Sequence, residues 1–92
     1  MTAARLELDG ELTIPWAAEQ HERVLRFLGE GPDLELSLAG VTDMDTTGLQ
    51  LLLLARQEAR RRDVRLRLTD HSPAVRDVLA VAWLDEDLEA VS

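Results

Sequence analysis

The chain has 92 residues, 46% of them hydrophobic and 30% charged, with a net charge of −8 and no cysteine or lysine. That length supports one hydrophobic core, so a single domain over residues 1–92 is predicted. The missing residue types exclude a disulfide framework, a thiolate nucleophile, a cysteine metal site and any mechanism that needs a lysine. The opening MTAARLELDG lacks the apolar core of a signal peptide, and the longest apolar run is too short to span a bilayer, so a soluble cytoplasmic protein without membrane insertion is expected. Residues 1–55 hold three arginines against ten acids, 56–76 seven against three, and 77–92 none against five. An acidic body of this kind repels phosphates and makes nucleic acid a poor partner, while the arginine-rich stretch reads either as a solvated helix end or as a local basic patch.

In chain order, Arg5-Leu6-Glu7-Leu8-Asp9 alternates polar and apolar residues, and Glu11-Leu12-Thr13-Ile14 resumes the alternation after Asp9-Gly10, a dipeptide suited to a tight turn. An antiparallel hairpin is predicted. Pro15 suits the first position of a helix, along which Ala17, His21, Val24, Leu25 and Leu28 recur at helical spacing until Gly29 and Gly31 end it. Trp16 and Phe27 are expected in the core or at its edge. His21 has no second ligand at metal spacing and receives no catalytic role. Asp33 to Leu38 alternates as a third strand, residues 39–45 are expected to form a loop, and a leucine-rich helix follows. On that helix Gly48, Leu51, Leu52, Ala55 and Ala59 share the face suited to lie on a sheet. Leu49 and Leu53 point elsewhere, and either pack on a neighbouring helix or form an apolar docking surface.

Asp63 to Leu68 reads as a fourth strand, and Ser72-Pro73 as an N-cap and first helical position opening a helix with Val75, Val78, Leu79 and Ala82 inward. The tail from Trp83 to Ser92 is acidic with a few apolar anchors and reads as a last strand or a helical turn. The order ββαβαβα predicts an α/β fold: a small mixed β-sheet with helices mainly on one face, joined by right-handed crossovers.

Function is expected at the stretch from Val41 to Ala55, where a polar segment feeds the leucine-rich helix. Thr46 or Thr47 stands where an N-cap is expected, its hydroxyl accepting from amides that lack a partner inside the helix. Those amides and the positive end of the helix dipole also favour a negative group, including a phosphate on the hydroxyl itself. Asp43-Met44-Asp45-Thr46-Thr47 fits the D-x-D-x-T pattern of haloacid-dehalogenase-like phosphatases, but that machinery needs a lysine and a much larger domain. Two carboxylates alone also make only a weak cation site. No catalytic, metal or cofactor equipment is visible, and an enzyme is not expected.

Asp45-Thr46-Thr47-Gly48-Leu49 resembles the D-[ST]-x-G-L signature of the STAS domain family, the fold of bacterial anti-sigma factor antagonists. Further matching blocks occur in the right order: Leu8 to Leu12, the helix after Pro15, the Leu-x-Leu strand before the signature, and His71-Ser72-Pro73-Ala74-Val75-Arg76 followed by Val78-Leu79. The resemblance implies a regulatory module that acts by binding. Its docking surface would comprise Asp43, Asp45, Thr46, Thr47, Gly48, Leu49 and Leu53, with Thr46 at the position that antagonists phosphorylate. The implied partner is an anti-sigma factor with a histidine-kinase-like ATPase domain that doubles as a serine/threonine kinase. The alternatives are an accessory subunit bound to the ATPase of a lipid-transport ABC system, or a chemotaxis-associated adaptor, neither using a phosphoswitch. A monomer or weak dimer is expected. Trp83 departs from the family, which often has glycine there.

Overall fold

The computed structural model describes residues 4–82. Its elements are β1 (Ala4–Leu12), a 3-10 turn (Ile14–Trp16), α1 (Ala17–Phe27), β2 (Asp33–Met44), α2 (Thr46–Arg61), β3 (Arg65–Thr69) and α3 (Pro73–Ala82). The strands lie in the order β1-β2-β3, and both pairings are parallel. Two successive right-handed crossovers that step across a sheet in the same direction put both connecting helices on the same face. α1 and α2 accordingly pack side by side, and α3 joins them over the central strand.

Strand periodicity explains which face is covered. Leu8, Leu34, Leu36, Leu38, Leu66 and Leu68 alternate with polar neighbours and are all buried in one cluster with Val24, Leu28, Leu52, Ala55, Ala59, Val75 and Leu79 from the helices. Each such leucine contributes about 1.5–3 kcal/mol by leaving water. The intervening residues build a polar opposite face. There Arg5 lies 3.4 Å from Glu35 and 3.1 Å from Asp70, Thr69 Oγ1 donates to Glu35 at 2.8 Å, and Ser37 Oγ donates to Asp70 at 3.2 Å.

The α/β class and the one-sided helices agree with the sequence reading, but the hairpin does not. β1 is one continuous strand, and the described sheet is wholly parallel. Gly10, at φ +81°, sits where the pairing with β2 shifts register, between Glu7 and Asp9 and again between Gly10 and Glu11. The flexibility of glycine is used for a bulge rather than a turn. Gln20, buried on α1, secures that bulge: its Nε2 donates to the carbonyls of Asp9 at 2.7 Å and Glu11 at 3.3 Å, while its Oε1 accepts from Arg23.

The extended β1 lengthens its neighbour. With Asp9 to Leu12 paired against Gly40 to Met44, the expected loop 39–45 is strand as far as Met44. Trp16 is also displaced from the expected place: it is 49% exposed, whereas Phe27 is buried. β3 begins at Arg65, since Asp63 adopts φ +57° in the turn after α2. Ser72 caps α3 as expected, its Oγ accepting from the Val75 amide at 3.3 Å, with Val75 and Leu79 fully buried and Val78 half-buried. The side chain of Ala82 and the whole of 83–92, including Trp83, lie outside the described residues.

Candidate functional site at the start of α2

β1 and β2 finish level, with Leu12 paired to Met44, so the starts of α1 and α2 emerge together at the carboxyl end of the sheet. In open parallel sheets this is the end where sites are built. Asp45 joins the two connections. Its backbone amide donates to the Leu12 carbonyl at 3.2 Å, its Oδ2 accepts from the Ile14 amide at 3.2 Å, and its Oδ1 accepts from the amides of Thr47 at 2.9 Å and Gly48 at 3.2 Å.

Asp45 is therefore the N-cap of α2, in place of either threonine, and Thr46 and Thr47 are its first two residues. A carboxylate here takes two amides at once and complements the helix dipole, which a threonine hydroxyl cannot match. The amides expected to attract a phosphate are thus already engaged. Thr46 is exposed and Thr47 half-buried. Asp43 is exposed at the end of β2, where its carboxylate accepts from the Met44 amide at 2.9 Å. It lies across from Glu11 in the strand register, so two acids stand side by side.

Gly48 is buried against β1. A Cβ there would overlap the Leu12 carbonyl oxygen and stand 2.7 Å from the Leu12 Cβ and 3.0 Å from the Met44 side chain. The glycine of the signature is therefore a packing requirement that lets α2 rest directly on the end of β1. Leu49 is 8% exposed and lines a groove of about 480 Å³ with Asp45, Thr46, Asp77, Val78 and Val81. Leu53 is half-buried against the core. Of the two readings of this pair, packing against neighbouring helices is the one their burial fits.

The sequence reading missed the apolar groups that do stand free. Ile14 is 71% and Leu54 50% exposed. Leu54 lines a shallow groove of about 220 Å³ between α1 and α2, together with Ala17, Ala18, His21 and Thr47. The signal was present in the helical period, since Leu54 falls opposite Leu52 on the wheel. A run of four leucines hides which one faces water.

At the far end of α2, Glu58 accepts from Arg61 at 3.0 and 2.6 Å and from Arg62 at 2.7 Å. These hydrogen bonds, led by that of Arg61, hold its carboxyl at about 2, below the usual 4.5, and raise the Arg61 guanidinium in return. This part of the arginine-rich stretch is a helix end that pairs internally. Among the described residues, no three His, Asp or Glu side chains gather as metal ligands would, and no helix is long and apolar enough to cross a membrane.

A capped helix start, a glycine contact beneath it and a one-faced parallel sheet define a small α/β module that presents groups for binding. The family model for "Mlab, STAS domain" matches residues 2–90, and the chain belongs to the STAS domain family. Among solved structures, the STAS domain of a SulP transporter from Vibrio cholerae is similar at 25% identity and a TM-score of 0.70, over 96% of this chain and 69% of the other. A search of curated proteins found no match.

Proposed function

We propose that this chain is a non-catalytic regulatory module that docks on an anti-sigma factor with a histidine-kinase-like ATPase domain, and that Thr46 is the phosphoryl acceptor by which that partner switches it off. The observation that carries this reading is the exposed Thr46 hydroxyl on the first residue of α2, at a helix start held in place by Asp45 and Gly48. Phosphorylation there adds about −1.5 to −2 charges beside Asp43 and Asp45. With the Thr47 and Gly48 amides occupied by Asp45, the new charge spoils the surface and leaves the fold in place. Mixed with its cognate kinase and ATP, the protein should gain one phosphate, and Thr46→Ala should abolish the gain. Unaltered mass with an active kinase would remove the switch and leave the docking role standing.

A second reading is favoured by the similarity to a transporter's STAS domain: an accessory subunit that binds the ATPase of an ABC transport system through the same helix start without phosphorylation. Affinity capture from the native host separates the two. Recovery of an ATPase-type anti-sigma factor supports the first, and recovery of a permease with its ATPase supports the second.

A further inference from the structure

Resting on the docking role just proposed, we infer that the partner lays an arginine side chain in the groove between the start of α2 and α3, with its methylene stem on Leu49, Val78 and Val81 and its guanidinium on Asp77. Asp45, Thr46 and Leu49 form one wall of this groove and Asp77, Val78 and Val81 the other. On each wall the residues stand three or four positions from a neighbour and so share one helix face. Thr46 belongs to the first wall, which makes the groove continuous with the helix start to which docking is assigned. Val81 is 81% exposed, the largest exposure of any large apolar side chain among the described residues, while Val78 is half-buried and Leu49 buried. The apolar floor therefore rises from the core out to water. That gradient suits a side chain with an apolar stem and a charged head.

Charge within the lining selects the head group. The lining holds two carboxylates and no cation. Asp45 directs its carboxylate to three backbone amides. Asp77 differs: it is exposed, stands too far into α3 to act as a cap, is a poor helix former, and has no hydrogen-bond or ion-pair partner among the described residues. Arg76, the one basic residue on α3, donates to the His71 carbonyl at 3.2 Å, and the first arginine along α2, Arg56, lies about two turns beyond Leu49. Both oxygens of Asp77 are thus open to the fork of a guanidinium, which takes a carboxylate through two parallel N–H bonds, whereas a lysine ammonium offers only a point charge. Residues 83–92, the nearest in sequence to Val81, bring Asp85, Glu86, Asp87 and Glu89 and no cation, so like charge disfavours them as the occupant.

The test uses the isotope-labelled full chain and two blocked alanine-rich peptides of one sequence, with a single central arginine in one and citrulline, its uncharged isostere, in the other. The arginine peptide should shift the methyl signals of Leu49, Val78 and Val81 and the carboxyl-carbon signal of Asp77, and the citrulline peptide should bind about threefold more weakly. In Asp77→Asn the two peptides should bind alike, and in Val81→Ser both should weaken by a similar factor. Both side chains are exposed, so neither substitution burdens the fold. An equal response to the two peptides in the unaltered chain, a preference for arginine that survives Asp77→Asn, or no response at these methyls would overturn the inference. So would contacts in the free chain between the Trp83 ring and the Leu49 or Val78 methyls, or shifts of those methyls with protein concentration, which would assign the groove to the chain itself or to a second copy. The cognate ATPase separates this groove from the docking role. ATPase binding that Asp77→Asn and Val81→Ser leave unchanged removes the groove and keeps the role. An arginine preference in the groove while the ATPase does not bind keeps the groove and removes the role.

Discussion

Gly48 and Leu12 meet so closely that the helix start leaves no space for a methyl group above the last residue of β1. Gly48→Ala gains about 1 kcal/mol of helix propensity and loses more through overlap with backbone that cannot move aside. The net expectation is a loss of about 2 kcal/mol in urea unfolding. A neutral or stabilising outcome would show that α2 rides higher on β1 than described.

Asp45 holds three backbone amides, so its removal should cost much more than removal of the neighbouring hydroxyl. Asp45→Ala is expected to lower stability by about 2 kcal/mol, and Thr46→Ala by less than about 0.5 kcal/mol. Thermal unfolding of the two variants side by side decides it. Equal losses would return the capping role to Thr46.

Gln20 is a buried polar side chain whose amide satisfies two carbonyls of the β1 bulge. Gln20→Leu keeps the bulk but leaves those carbonyls without their donor, at a cost of about 1–3 kcal/mol. Hydrogen exchange should accelerate at residues 9–12 of β1 before it does at β3.

The Glu58 carboxyl provides a pH signature. Its folded value of about 2 lies below the 4.5 usual for the unfolded chain, so its stabilising contribution is complete above 4.5 and is lost as pH falls from 4.5 through 2. A carboxyl-carbon NMR titration should give a midpoint near 2, and Arg61→Gln should move it upward. A midpoint near 4.5 in the unaltered protein would show that the Arg61 and Arg62 pairs do not persist in solution.

The sequence shows clearly those parts of the fold that depend on local period: the Leu34, Leu36 and Leu38 alternation, the Ser72-Pro73 helix start and the inward face of α2. What it hides depends on long-range partners. Asp9-Gly10 reads as a hairpin because a left-handed glycine serves a turn and a bulge equally well, and only the run of β2 alongside, with Gln20 beneath, decides between them. Residues 39–45 read as a loop because Gly40, Asp43 and Asp45 are residues that favour turns, yet pairing with β1 carries the strand to Met44. At the site, the position of Thr46 was legible from the signature. The cap was not, since Asp45 and the two threonines all suit it, and Asp45 prevails through its additional bond to Ile14, a residue 31 positions earlier.

The level finish of β1 and β2 divides the molecule into two ends with different tolerance for change. Lengthening either strand by one residue would pull the Ile14 and Thr47 amides out of reach of one carboxylate, so insertions near 13–15 or 43–46 disable the presenting end. The turns at the opposite end, around Gly29 to Pro32 and Arg62 to Val64, bear on none of these bonds. A fluorescent reporter or a purification handle belongs there, where extra chain leaves the business end of the domain unaltered.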